Sequence, residues 1–169
     1  LTELLCLKNE LVSLDVANLL ALTTLNCSNN HIEHLNLSKN TALTALDCHG
    51  NKLTSLDLAK NTALTTLDCG ENAIATIYLG TEKLTSLDCA NNALTSINVA
   101  LQTKLAEFDC SHNKLTQLDV PKCTKLATLD CSYNNLAMLN ISNNSMLTTL
   151  DCSNNASLAK LWVKDNAQQ

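Results

Sequence analysis

The residues of this chain that could do chemistry are cysteines and carboxylates, and they come in pairs. Cys48, Cys69, Cys89, Cys110, Cys131 and Cys152 directly follow Asp47, Asp68, Asp88, Asp109, Asp130 and Asp151, and the pair returns every 20 or 21 residues. Cys6 and Cys27 continue the spacing behind Leu5 and Asn26. A thiolate can attack a carbonyl or hold zinc, and carboxylates in file can bridge a divalent cation. Nucleophilic catalysis, however, requires a base and an orienting group to converge on the thiol. His31, His34 and His49 fall at unrelated points of the repeat, and Asp47 and His49, two residues apart, are a pair that chance easily supplies. Zinc ligands come at short spacings such as C-x-x-C, which is absent here. Nine cysteines are an odd number, and side chains in register on parallel strands point the same way instead of at one another, which disfavours disulfides. Unpaired thiols are therefore expected, including Cys123, which lies outside the column where other units carry Asn40, Asn61 or Asn144.

What positions these residues is an internal repeat. Units begin at Leu1, Leu22, Leu43, Leu64, Leu84, Leu105, Leu126 and Leu147, and the fourth is one residue shorter than 21. In every unit position 1 is Leu, position 4 is Leu or Phe108, position 6 is Cys and position 9 is Asn, which gives the template L-x-x-L-x-C-x-x-N. The second half repeats it loosely, as in Leu53, Leu56, Leu58 and Asn61. A period of this length is the mark of a solenoid whose units bury a common core by stacking. Apolar positions 4 and 6 alternate with polar 3, 5 and 7, the period of two of a strand with one buried face.

The template resembles the leucine-rich repeat family, specifically its bacterial nested 21-residue variety, with units reading L-x-x-L-D-C-S-x-N-x-L-T-x-L-D-V-S-x-N. The match covers essentially the whole chain. The expected fold is a leucine-rich repeat solenoid of eight coils of about 21 residues, with short parallel β-strands on the concave face. Elsewhere extended segments and turns or 3₁₀ turns are expected, with little or no regular helix. At about 4.8 Å per strand, eight coils make a rod of about 40 Å. Residues 1–169 are expected to form a single leucine-rich repeat domain, and the chain is expected to be a fragment of a longer one. The resemblance implies a non-enzymatic protein-binding module of a bacterial cell-surface or secreted protein.

In that register the cysteines turn inward as small apolar fillers. The position-9 asparagines satisfy turn backbone groups with their amides. The aspartates project in one row from the concave face, with Asn26 extending it. Like charges about 5 Å apart repel by nearly 1 kcal/mol even in bulk water, so hydrogen bonds from neighbours such as Ser111, Ser132 and Ser153 are needed to offset them. A bridging calcium would be best placed where Glu107 joins Asp88, Asp109 and Asp130, but calcium takes six to eight oxygens and the flanking residues offer hydroxyls at most. A basic protein partner suits the strip better. The candidate partner-binding residues are Asp47, Asp68, Asp88, Glu107, Asp109, His112, Asp130, Tyr133 and Asp151. His112 and Tyr133, at position 8 of adjacent coils, are expected beside Glu107 and Asp109 at the edge of the strand face. No catalytic residue, metal ligand or cofactor is expected.

Composition narrows the partners. The chain is 46% hydrophobic and 16% charged, carries a net charge of -5, and has no arginine among its eleven basic residues. A protein that neutralises phosphates needs a basic stripe, so nucleic acid is not expected. No apolar run approaches the roughly 20 residues of a membrane span. Leu5 and Leu7 stand where later coils have polar residues, and Leu19 and Leu20 add to them, which points to a cap or flanking domain at the N-terminal end. Trp162 falls at a surface position, as a lid or a contact for a following domain. The alternative to recognition is a spacer or stalk between other domains. An ice-binding face, suggested by Thr2, Thr23, Thr44, Thr65, Thr85 and Thr148, is at odds with the charged row on the same side.

Overall fold

The computed structural model describes residues 1–163; the last six residues of the expected domain, 164–169, lie outside the described residues. Its strands, in chain order, are β1 (Glu3–Leu5), β2 (Thr24–Asn26), β3 (Ala45–Asp47), β4 (Ser55–Leu58), β5 (Thr66–Asp68) and β6 (Thr76–Leu79). They continue as β7 (Ser86–Asp88), β8 (Glu107–Asp109), β9 (Thr128–Asp130), β10 (Met138–Asn140), β11 (Thr149–Asp151) and β12 (Lys160–Trp162). Eight of them form one parallel sheet in the order β1-β2-β3-β5-β7-β8-β9-β11, one strand per coil. The described residues contain no helix. The expected solenoid is thus the observed one, and its register is the expected one: Leu25, Leu46, Leu67, Leu87, Phe108 and Leu129 align, one per coil.

The core lies between two apolar walls that the nested repeat supplies. Positions 1, 4 and 6 form one wall, through residues such as Leu43, Leu46 and Cys48. Positions 11, 14 and 16 form the other, through Leu53, Leu56 and Leu58, all within 2% of full burial. Burying one such side chain stabilises by about 1.5–3 kcal/mol, so repetition turns a narrow interior into a stable one. Phe108 is the largest fully buried side chain. On the second wall the coils pair only in places, as the two-stranded sheets β4-β6 and β10-β12.

Two asparagine ladders tie the coils. In the first, Asn30 Nδ2 donates to the carbonyls of Cys6, Cys27 and Ser28, and its Oδ1 accepts the Leu11 N–H at 3.0 Å. Each later position-9 asparagine repeats this pattern. In the second, Asn40, Asn61 and Asn144 are buried and donate Nδ2 to carbonyls of the preceding coil, while their Oδ1 atoms have no donor. Coils four to six replace the asparagine: Thr81 donates to the Leu64 carbonyl, Gln102 bridges Thr81 and Leu84, and Cys123 points its thiol at the Val99 carbonyl. The shortened fourth coil turns at Gly80, where a Cβ would lie 2.3 Å from the Ala59 carbonyl oxygen. Only glycine lets the two backbones approach that closely.

Position 8 has a conformation that residue type does not announce. Lys8, Asn29, Gly50, Glu71, Asn91, His112, Tyr133 and Asn154 all have positive φ, between 49 and 62°. The left-handed region costs a residue with a Cβ about 1–2 kcal/mol. Hydrogen bonds to the next coil hold it, as when His112 N donates to the Ser132 carbonyl and Tyr133 N to that of Ser153.

Candidate protein-binding face

One face of the eight-stranded sheet presents position 5 of each coil in strict register: Asn26 beside Asp47, then Asp68, Asp88, Asp109, Asp130 and Asp151. Each carboxylate closes a small turn with the residue two ahead. Oδ1 accepts the backbone N–H of His49, Gly70, Ala90, Ser111, Ser132 and Ser153 at 2.8–3.1 Å, and Asn26 does the same for Ser28. The Ser132 hydroxyl adds a 2.6 Å bond to Asp130. One oxygen of each carboxylate is thus held by the fold, in the manner of an Asx turn. This is the offset that the row requires.

Asp68 and Asp88 are the strained members. Burial pushes both carboxyls above their ordinary value of 3.8, with the neighbouring aspartates adding to the rise; the N–H groups of Gly70 and Ala90, and the nearby His49, oppose it. Their coils carry Gly70 and Ala90 where those of Asp109, Asp130 and Asp151 carry a serine. Asp151 is held below the usual value by the hydroxyl and N–H of Ser153.

A shallow hollow of about 260 Å³ lies over the row, lined by Asp88, Glu107, Asp109, Asp130 and Asp151 above Leu87, Phe108 and Leu129. Glu107 accepts a 3.2 Å bond from the Ser86 hydroxyl. A second hollow continues over Asp47 and Asp68 and shares Ser86 and Asp88 with the first. The candidate carboxylates therefore form one continuous strip.

His112 and Tyr133 are brought to each other. Their rings stack at 4.1 Å with an interplanar angle of 11°. They stand at the left-handed corner three residues past Asp109 and Asp130, outside the lining of the hollow. His49, which sequence reasoning weighed only with Asp47, reaches forward instead: Nδ1 is 3.6 Å from Asp68 Oδ1 and Nε2 is 3.6 Å from Glu71 Oε2. Spacing could have found this, because position 7 of one coil abuts position 7 of the next, where Gly70 leaves room beside the His49 ring.

The thiols are unsuited to nucleophilic chemistry. Cys27 and Cys131 are pushed up to about 12 and Cys123 to about 11, chiefly by burial, and Cys48, Cys69, Cys89 and Cys110 rise well above 9.0 for the same reason. All nine cysteines are free. The thiolate is the reactive form, and burial suppresses it. Among the described residues no three His, Cys, Asp or Glu side chains converge to hold a metal. What the face can do is present charge and hydrogen-bond acceptors to another molecule.

No family model matches the chain, and neither does any curated protein sequence. Solved structures do. The functional domain of InlJ from Listeria monocytogenes, described as including a cysteine ladder, is 35% identical with a TM-score of 0.71, over 97% of this chain and 44% of that one. A leucine-rich repeat protein of Leptospira interrogans aligns at 20% identity and TM-score 0.65, over 96% and 54%. The plant peptide hormone receptor RGFR1, in complex with RGF2, aligns at 22% identity and TM-score 0.69, over 82% and 25%. The chain thus spans about half the length, or less, of these relatives. Template, coil length, sheet and neighbours agree: the chain folds as a leucine-rich repeat solenoid with coils of about 21 residues.

Proposed function

We propose that the concave strand face is a non-enzymatic recognition surface of a bacterial surface or secreted protein, and that it binds a protein through a basic patch. The observation that carries this reading is the strip itself. Six aspartates stand in register with Glu107 beside them, and strand positions 2–7 of the eight coils contain no lysine. Such a strip attracts cationic surfaces and repels phosphate, which supports a protein partner over a nucleic acid. The similarity to InlJ of Listeria monocytogenes supports a bacterial setting. Exposed Leu1, Leu5, Val12 and Leu20 on the first coil support a covering cap or domain there.

The test is capture of partners from bacterial and host surface extracts by the wild-type chain and by the D88N/D109N/D130N variant. Asparagine keeps the turn hydrogen bond, as Asn26 does, and removes only charge. Loss of capture in the variant supports the strip; undiminished capture moves attention to Tyr133 or the convex side. A spacer role is the second reading, favoured by the small residues Ala45, Thr66, Ser86, Thr128 and Thr149 at position 3, which are poor anchors.

A further inference from the structure

The charges of this molecule are sorted by face. The strand segments, positions 2–7 of the eight coils, carry eight carboxylates and no lysine. The corner that leads into the next coil's strand, residues 17–21, 38–42, 59–63, 80–83, 100–104, 121–125 and 142–146, carries six lysines and one acid, Glu82. Three of those lysines, Lys83, Lys104 and Lys125, occupy the last position of three consecutive coils and are exposed. They form a rail of cations that rises one coil at a time, as the aspartates do. Within the described residues the ion pairs all involve His31 or His49; no lysine pairs with a carboxylate. Among the described residues the acidic row meets one cationic side chain, His49 beside Asp68, and the lysine rail meets no carboxylate.

We propose that the acidic strand face docks the lysine rail of a second copy of this chain. The inference rests on the reading of that face as a recognition surface and names its partner. Pitch selects the partner. The aspartates repeat once per coil, at the strand spacing of about 4.8 Å. A helix offers cations about 5.4 Å apart per turn, and a strand presents same-face residues about 6.6 Å apart, so either slips out of register along the row. A second copy cannot slip, because its rail is spaced by the same stacked coils. The axes then run alongside each other, and Lys83, Lys104 and Lys125 span three consecutive carboxylates such as Asp88, Asp109 and Asp130. The two surfaces are different patches, so the contact is heterologous, and each added copy leaves one free face and one free rail. Association is open-ended and weakened by salt.

The experiment is sedimentation velocity on the wild-type chain, on K83E/K104E/K125E, on D88N/D109N/D130N, and on an equimolar mixture of the two variants. Circular dichroism melts confirm that each is folded; among the described residues the lysines have no carboxylate partner to lose. At low ionic strength the wild type is expected to grow in mass with concentration beyond a dimer. In about 1 M salt, where the Debye length is about 3 Å, it returns to monomer. Each variant alone stays monomeric. In the mixture the intact face of one variant meets the intact rail of the other, and the expected product is a pair that stops at two chains.

A wild type that is monomeric at every concentration overturns the inference, as does a lysine variant that associates like wild type, or a mixture that stays monomeric. Capture of a foreign protein separates the two readings. If K83E/K104E/K125E still captures one and D88N/D109N/D130N does not, while the wild type is monomeric, self-docking falls and the recognition face stands. If D88N/D109N/D130N neither loses capture nor stops associating, both fall.

Discussion

Asn113 Oδ1 accepts the backbone N–H of Leu94 at 2.9 Å, across 19 residues of chain, so a side chain of the sixth coil closes the backbone of the fifth. Its Nδ2 also donates to the carbonyls of Cys89, Cys110 and Ser111. Four buried backbone groups thus share one carboxamide. Asn113→Ala is expected to destabilise the solenoid by about 3 kcal/mol, since each orphaned buried polar group costs about 1–3 kcal/mol. Urea unfolding followed by circular dichroism measures this, and a midpoint equal to wild type would show that the ladder is dispensable.

The thiols provide a second test. Seven cysteines, Cys27, Cys48, Cys69, Cys89, Cys110, Cys123 and Cys131, are buried, whereas Cys6 and Cys152 are partly exposed. At about pH 8, where an ordinary thiol is partly ionised, iodoacetamide should modify only Cys6 and Cys152 in the folded protein. All nine should label in denaturant. Peptide mass mapping identifies the sites, and prompt labelling of Cys89 or Cys110 would contradict the inward register.

Gly80 makes a sharper steric prediction. The Cβ of Gly80→Ala would sit 2.3 Å from the Ala59 carbonyl oxygen and 2.6 Å from that of Leu58. Backbone cannot rotate away as a side chain can, so the coil must shift. Overpacking of this kind costs about 1–3 kcal/mol, read as a lowered melting temperature. Ala59→Gly removes no atom from that contact and should not rescue it.

The half-buried aspartates make stability depend on pH in a defined direction. Asp68 and Asp88 titrate above 3.8 in the folded chain, so between 3.8 and the raised values the folded state binds more protons than the unfolded state. Their contribution therefore favours folding below 3.8 and is lost as pH rises through the folded values. D68N/D88N should remove this component. The stability difference, variant minus wild type, is expected to increase from about pH 3.5 towards neutrality in parallel denaturation series, and a flat difference would mean that neither carboxyl is perturbed.

Repetition is what made the fold legible. Eight copies of Leu at position 1, Cys at 6 and Asn at 9 average away the noise that blurs a single strand, and columns in the sequence became columns in the structure. The position-5 row was legible for the same reason. Its partial burial was not, because the depth of Asp68 and Asp88 depends on the glycine and alanine beside them and on how far the neighbouring coils rise. The second column was legible at Asn40, Asn61, Cys123 and Asn144 but missed at Thr81 and Gln102, residues that fill one space by different bonds. The left-handed corner was invisible because Lys, Glu, His and Tyr share a conformation that inter-coil hydrogen bonds impose against their own preference.

That corner has an evolutionary consequence. The backbone at Lys8, Glu71, His112 and Tyr133 is pinned from outside, by hydrogen bonds to the next coil, so the turn itself does not dictate which side chain is borne there. Replacement at these points alters what the molecule displays while the inter-coil backbone hydrogen bonds persist. A lineage can rewrite such a margin one letter at a time, and the regular rise of the coils will still set neighbouring rings face to face.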